Sequence, residues 1–227
     1  YMKDIGGRST KYKNVFRRAI TDYFGEAFKA GFEDGSGLFY PDDAESGDIA
    51  WVGAKQTAEY GYVDSLFLQL LELKKSETQN VWYHEIERRI LGYLRTLDGV
   101  YNEGKLRGQR DVALTFTGRD GQESCPTCMK WKGKRHRASF WIKRSLIPGQ
   151  PGNDAFECRG YNCQHVLIDD NGNLFMMSAA QSERMPHWYQ EDYINAYLSW
   201  AVDHFPEYDM DKHEIGFMLA MRSNARY

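Results

Sequence analysis

What the chain lacks narrows its class first. No apolar run approaches the roughly 18 residues of a membrane-spanning helix, so no membrane partner is expected. Neither an internal repeat nor a low-complexity tract is present, which excludes a repeat array. No signal peptide is visible, and a disulfide framework would need an oxidising compartment. The net charge is only −3, which argues against a general polyanion binder. No complete catalytic set is legible either: Ser124 and Ser139 near histidines do not make a triad, and no small-molecule substrate is expected. Cysteine is absent outside one stretch, Ser124 to Leu167, and that stretch holds all 4.

These four follow the arithmetic of a metal site. Cys125-Pro-Thr-Cys128 is a two-cysteine turn that delivers two thiolates to one ion. Cys158-Arg-Gly-Tyr-Asn-Cys163 supplies a second, looser pair, with His165 close behind. Pro126 in the first turn and Gly160 in the second suit metal knuckles. All four cysteines form the first choice of ligand set. Cys125, Cys128 and His165 with either Cys158 or Cys163 form the second. Four protein ligands fill a tetrahedral shell and leave no place for water, so the expected ion is a structural zinc. Two disulfides or four free thiols are the competing reading.

At 227 residues the chain can bury a sizeable core, as one elongated domain or one with a small appended module. Aromatics reach 15 %, with 15 Tyr and 6 Trp, which favours packing against other elements or other chains. Charge is segregated. From Cys125 to Arg144 stand Lys130, Lys132, Lys134, Arg135, Arg137, Lys143 and Arg144 with no acidic residue. This is a candidate phosphate-facing strip, set against a solvated face around a metal knuckle. From Ser178 to Gly216 the balance reverses to eight acidic residues against two basic.

Hydrophobic spacing predicts three long helices. The first runs from Thr10 to Phe32 and stops in Glu33-Asp-Gly35-Ser-Gly37, where two glycines permit a left-handed cap. After a loop with Asp42, Asp43, Glu45 and Asp48, read as a polar helix entrance, the second runs from Ile49 to Lys75. Its inward positions include Val52, Ala58, Tyr62 and Val63, and its weak points are Gly53 and Gly61. The third begins near Thr78 and is ended or bent at Gly99 and Gly104. Period two then takes over: Val112, Leu114 and Phe116 predict a strand, with a turn at Gly118-Arg-Asp-Gly121. Ala138 to Ser145 predicts a short helix and Ile147 to Gly152 a loop. Val166 to Ile168 and Leu174 to Met177 predict a hairpin around Asp169-Asp-Asn-Gly172, whose Asn-Gly suits a type I′ turn. Gln190 to His204 and Lys212 to Arg222 predict tail helices. The fold class is α+β, in three parts: a helical scaffold over 1–108, a cysteine-rich module over 109–178 stapled by zinc, and a helical acidic tail over 179–227.

Cys125-x-x-Cys128, Trp131-Lys-Gly-Lys-Arg-His136-Arg137, Trp141, Leu146-Ile-Pro-Gly149, Glu157-Cys158-Arg-Gly160-Tyr-Asn-Cys163 and Leu167 together resemble the C-terminal signature of Mu F-like phage minor head proteins. The resemblance covers residues 125 to 168, with looser support from Ala27 to Gly35 and from Tyr101 to Gly104. It implies a structural or head-morphogenesis component of a tailed-phage virion. Its partners would be portal and capsid proteins, and packaged DNA. Its location would be the virion, and the host cytoplasm during assembly. Where the family pattern commonly closes with Cys-x-Cys, this chain has Cys163-Gln-His165, which leaves the fourth ligand open.

Two other classes stay in view. A nuclease would draw on His136, His165, Asp169 and Asp170, with a His activating water and an acid holding a catalytic metal. A nucleic-acid-binding module would use the basic strip, with Trp131 or Trp141 as a stacking platform.

Overall fold

The computed structural model describes residues 2–41, 46–76, 79–109, 111–118, 124–160 and 163–176. The predicted tail helices, the 118–121 turn and the carboxylates Asp42, Asp43 and Glu45 fall wholly or mostly outside them. Among the described residues the chain forms helices and one small antiparallel sheet, an α+β arrangement. It divides into two compact units, one built from residues 2–23 and 46–94, the other from 24–41 and 95–176.

In the first unit, α1 (Met2–Ser36) contributes its N-terminal part and α2 (Ser46–Ser76) its whole length. They meet through a polar seam. Arg17 pairs with Asp64 at 2.7 Å, Gln56 donates to the Thr21 carbonyl at 3.0 Å, and the Thr21 and Tyr60 hydroxyls share a short hydrogen bond. Residues 56, 60 and 64 recur one turn apart, so they stand on one face of α2. Because Thr21 meets Gln56 while Arg17 meets Asp64, the two helices run antiparallel. This seam corrects the predicted inward stripe. Ala58 and Tyr62, predicted inward, are exposed, and Asp48 and Glu59 are buried, whereas Val63 is buried as predicted. Hydrophobic spacing alone misplaces Ala58 and Tyr62, because the face that meets α1 is held by side-chain polar groups.

In the second unit, α1 packs on α3 (Gln79–Gly108) through small residues on both sides. A Cβ on Gly31 would strike the Tyr101 carbonyl, and one on Gly104 the Phe28 carbonyl; Gly35 and Gly108 repeat the pattern one turn on. Four glycines thus bring the two backbones together, and Tyr101 adds a 2.7 Å hydrogen bond to Asp34. The contacts advance together in both helices, so the pair is parallel. Gly99 and Gly104 therefore do not end the third helix, which continues to Gly108. Of the two glycines predicted to cap α1, only Gly37 takes a positive φ, of 70°; Gly35 is a helical contact residue. α1 also begins earlier and ends later than predicted.

Beyond α3 comes a three-stranded antiparallel sheet in the order β2-β1-β3. β1 (Ala113–Gly118) is central and buries Leu114 and Phe116, as its alternation predicts. β2 (Arg135–Arg137) sets Leu114 opposite His136, and β3 (His165–Ile168) sets Phe116 opposite Leu167. Two short helices, α4 (Pro126–Trp131) and α5 (Ala138–Lys143), flank β2 in sequence. Trp141, fully buried, shares its indole N–H between the carbonyls of Leu114 and His136 at 3.3 and 3.2 Å. The hairpin after β3 is present, with Phe175 donating to the Leu167 carbonyl at 3.0 Å. Its turn differs from prediction. Only Gly172 has a positive φ, of 80°, because the Asp169 carboxylate accepts the amides of Asn171 and Asn173 and holds Asn171 out of the left-handed region.

The loop after α5 is tied down by two buried amides. Gln150 donates to the Gly99 carbonyl and to Glu103, and Asn153 donates to the carbonyls of Ser145 and Ile147. Gly160, at φ 72°, lies against the Gln150 carbonyl where no Cβ fits. This contact positions the second cysteine turn.

Candidate metal centre

The first knuckle grows from the start of α4. Cys125 has extended backbone angles and caps the helix, with its sulfur accepting the Cys128 amide at 3.4 Å. Pro126 occupies the first helical position, where its missing N–H costs nothing. Cys128 is thereby turned inward in the first turn and buried. The second knuckle is sharper. Arg159 and Gly160 both take positive φ, 51° and 72°, and the Gly160 amide points at the Cys158 sulfur. Cys163 then enters just before β3, and His165 opens that strand, its ring 5.5 Å from the Phe116 ring.

The sulfurs converge. Ligand atoms of Cys125, Cys128 and Cys158 all lie within 4.8 Å of one another, and so do those of Cys128, Cys163 and His165. Cys128 belongs to both groups. Its sulfur stands 3.7 Å from that of Cys163, far beyond a disulfide bond, and all four cysteines are free. Four sulfurs held about 2.3 Å from a central ion would sit about 3.8 Å apart, so the measured edge matches a tetrahedral thiolate shell. The His165 Nδ1 lies 4.0 Å from the Cys163 sulfur.

Electrostatics supports the same geometry. Burial pushes the Cys128 thiol up, and nearby sulfurs of Cys125 and Cys163 push it further. Burial also raises Cys158, against the Gly160 amide. At Cys125 burial is outweighed by hydrogen bonds from the Cys128 and Cys158 backbone, and the thiol is held low. Without a cation the cluster favours one thiolate among thiols; a divalent ion would let all the sulfurs ionise together. Beside it, the Glu157 carboxylate is held down at about 2 by hydrogen bonds from its own backbone amide and from Thr127, whose amide donates at 3.0 Å. The cluster of Cys125, Cys128, Cys158, Cys163 and His165 can therefore hold a metal ion.

The basic strip is placed differently from a uniform cationic face. Arg135 makes a two-pronged pair with Asp170 at 2.8 and 2.6 Å, and Arg137 pairs with Asp111 at 3.1 Å. Lys130, Lys134, Lys143 and Arg144 are exposed and have no ion pair among the described residues. Trp131 and Trp141 pack in the same core as Cys125 and Cys128; Trp141 is too deep to offer a face to a ligand. The residues named for a nuclease are each engaged elsewhere. His136 stacks on Phe140 with ring centres 3.7 Å apart, Asp169 closes its own turn, Asp170 holds Arg135, and His165 stands beside Cys163.

Fold and site together define an α+β protein whose small sheet is gathered around a four-cysteine cluster. Comparison with protein-family models, curated proteins and solved structures gives no match.

Proposed function

We propose that the cluster holds one structural zinc ion and that the protein is a structural or assembly component of a tailed-phage head, placed near the portal or on the capsid interior. The observation that carries the metal assignment is the convergence of two knuckles on Cys128, with one sulfur pair at a tetrahedral edge length. Zinc supplies charge neutralisation and cross-linking there, since four sulfur ligands leave no position for a reacting water. The chain's residues do the rest: amides of Cys128 and Gly160 hold two sulfurs in place, and Gln150 fixes the second turn. The phage assignment rests on the resemblance over residues 125 to 168.

Elemental analysis is expected to give about one zinc per chain. Cys128→Ser should abolish tight metal binding and lower the melting temperature, because both donor groups contain that sulfur. His165→Ala should keep the metal, with the four cysteines closing the shell. A metal-free protein with a Cys125–Cys128 disulfide would refute the site. For the phage role, quantitative mass spectrometry of gradient-purified particles should find the protein well below the copy number of the major capsid protein. Its absence from particles and assembly intermediates would refute that role whatever the zinc content. Metal-dependent cleavage lost in His136→Ala or His165→Ala would favour the nuclease reading instead.

A further inference from the structure

Beside the metal cluster, three partly buried rings make one aromatic cluster. The Trp131 ring lies 5.6 Å from Phe140 and 6.0 Å from His136, and His136 lies nearly parallel to Phe140. Two exposed cations rest on this cluster: the Lys130 ammonium 5.7 Å from the Trp131 ring centre and the Arg144 guanidinium 4.0 Å from that of Phe140. Lys134 is tied to Trp131 by a 2.9 Å backbone hydrogen bond, and Lys143 adjoins Arg144. No acidic residue occurs anywhere from Cys125 to Arg144. The two arginines that do have carboxylate partners, Arg135 and Arg137, are spent on internal pairs and so do not define the surface.

We propose that this face binds single-stranded nucleic acid, with Lys130, Lys134, Lys143 and Arg144 on phosphates and a base stacked on Trp131. Alternating flat rings and cations that have no carboxylate partner among the described residues suit a partner that presents π-faces and negative charge at short intervals, which is what a single strand does. A rigid duplex hides its base faces, and an acidic peptide lacks them. A zinc-fixed platform also needs no ordering on binding, since Trp131 sits on the same short helix as Cys128.

The test is a titration of the full zinc-loaded chain with a fluorescent thymidine oligonucleotide of about 16 nucleotides. Four phosphate contacts on a single strand predict an affinity that falls about fifty-fold between 50 and 200 mM salt. In the exposed-site variant Lys130→Ala/Arg144→Ala, checked for unchanged zinc content, that fall should shrink to about seven-fold, and Lys134→Ala/Lys143→Ala should behave alike. Tryptophan fluorescence should be quenched on binding in the parent, and the quench should be lost in Trp131→Phe. Absence of binding at 50 mM salt would overturn the proposal. So would an unchanged salt slope in both variants, equal binding of duplex without quenching, or equal competition by a polyglutamate peptide.

Discussion

Glu59 shows how far one position can shape the acid–base behaviour of the fold. It is buried on α2, and burial raises its carboxyl from 4.5 to about 7, with Lys55 one turn away pulling it back down. A raised acid favours the protonated folded state, so its contribution to stability is intact below about pH 4.5 and is lost as pH climbs through 7. Glu59→Gln should match the parent near pH 4.5 and exceed it above pH 7, by on the order of 2–3 kcal/mol. Urea midpoints at the two pH values decide it; equal midpoints at pH 8 would show that the carboxylate is not buried at a cost. Residues whose chemistry is rare were legible in the sequence. Cysteine spacing singled out four of the clustered donors, because thiols at knuckle separation have few other uses, and His165 was marked by its place two residues after Cys163. Gln150 and Asn153 were not legible, since an amide becomes structural only when distant carbonyls such as that of Gly99 come within reach.

Among elements, a Gly→Ala exchange has opposite expected effects inside the parallel crossing of α1 and α3 and away from it on α2. Gly104→Ala forces a methyl into the Phe28 backbone, which cannot move as a side-chain tip can, and should cost about 2–3 kcal/mol. Gly61→Ala on α2 meets nothing within 4 Å and should stabilise by about 0.5–1 kcal/mol. Thermal melts of the two variants, shifted in opposite senses, would confirm the crossing; parallel shifts would contradict it. The sequence announced all three helices and β1 because their periodicity is long or strict. β2 escaped notice, being three residues of which two are charged, and its place is set by pairing with β1 and by the His136–Phe140 stack rather than by propensity. The sequence marks Gly35 as a cap and Gly104 as a stop or bend, because a missing side chain looks alike at a cap, a bend and a close approach. Only the partner helix distinguishes them.

For the whole molecule, removal of the proposed ion is the informative perturbation. The sulfur cluster joins α4, the 153–160 turn and the entry to β3, whereas α2 has its polar seam and no cysteine. Chelation should therefore strip hydrogen-exchange protection from the β1–β3 pairs Thr115–Ile168 and Phe116–Leu167 while α2 keeps most of its own. Uniform loss across both would mean that the ion supports more than its own unit. The second unit also joins stretches far apart in the chain. Asp34 waits for Tyr101, 67 residues later, and Lys105 for the Phe175 carbonyl, 70 residues later. At cellular translation speeds each interval lasts about 3–14 s, long compared with the microseconds in which a helix forms. The glycine-bearing face of α1 is thus made early and left bare on the ribosome until α3 arrives, so the nascent chain, more than the finished protein, is where a chaperone would be needed.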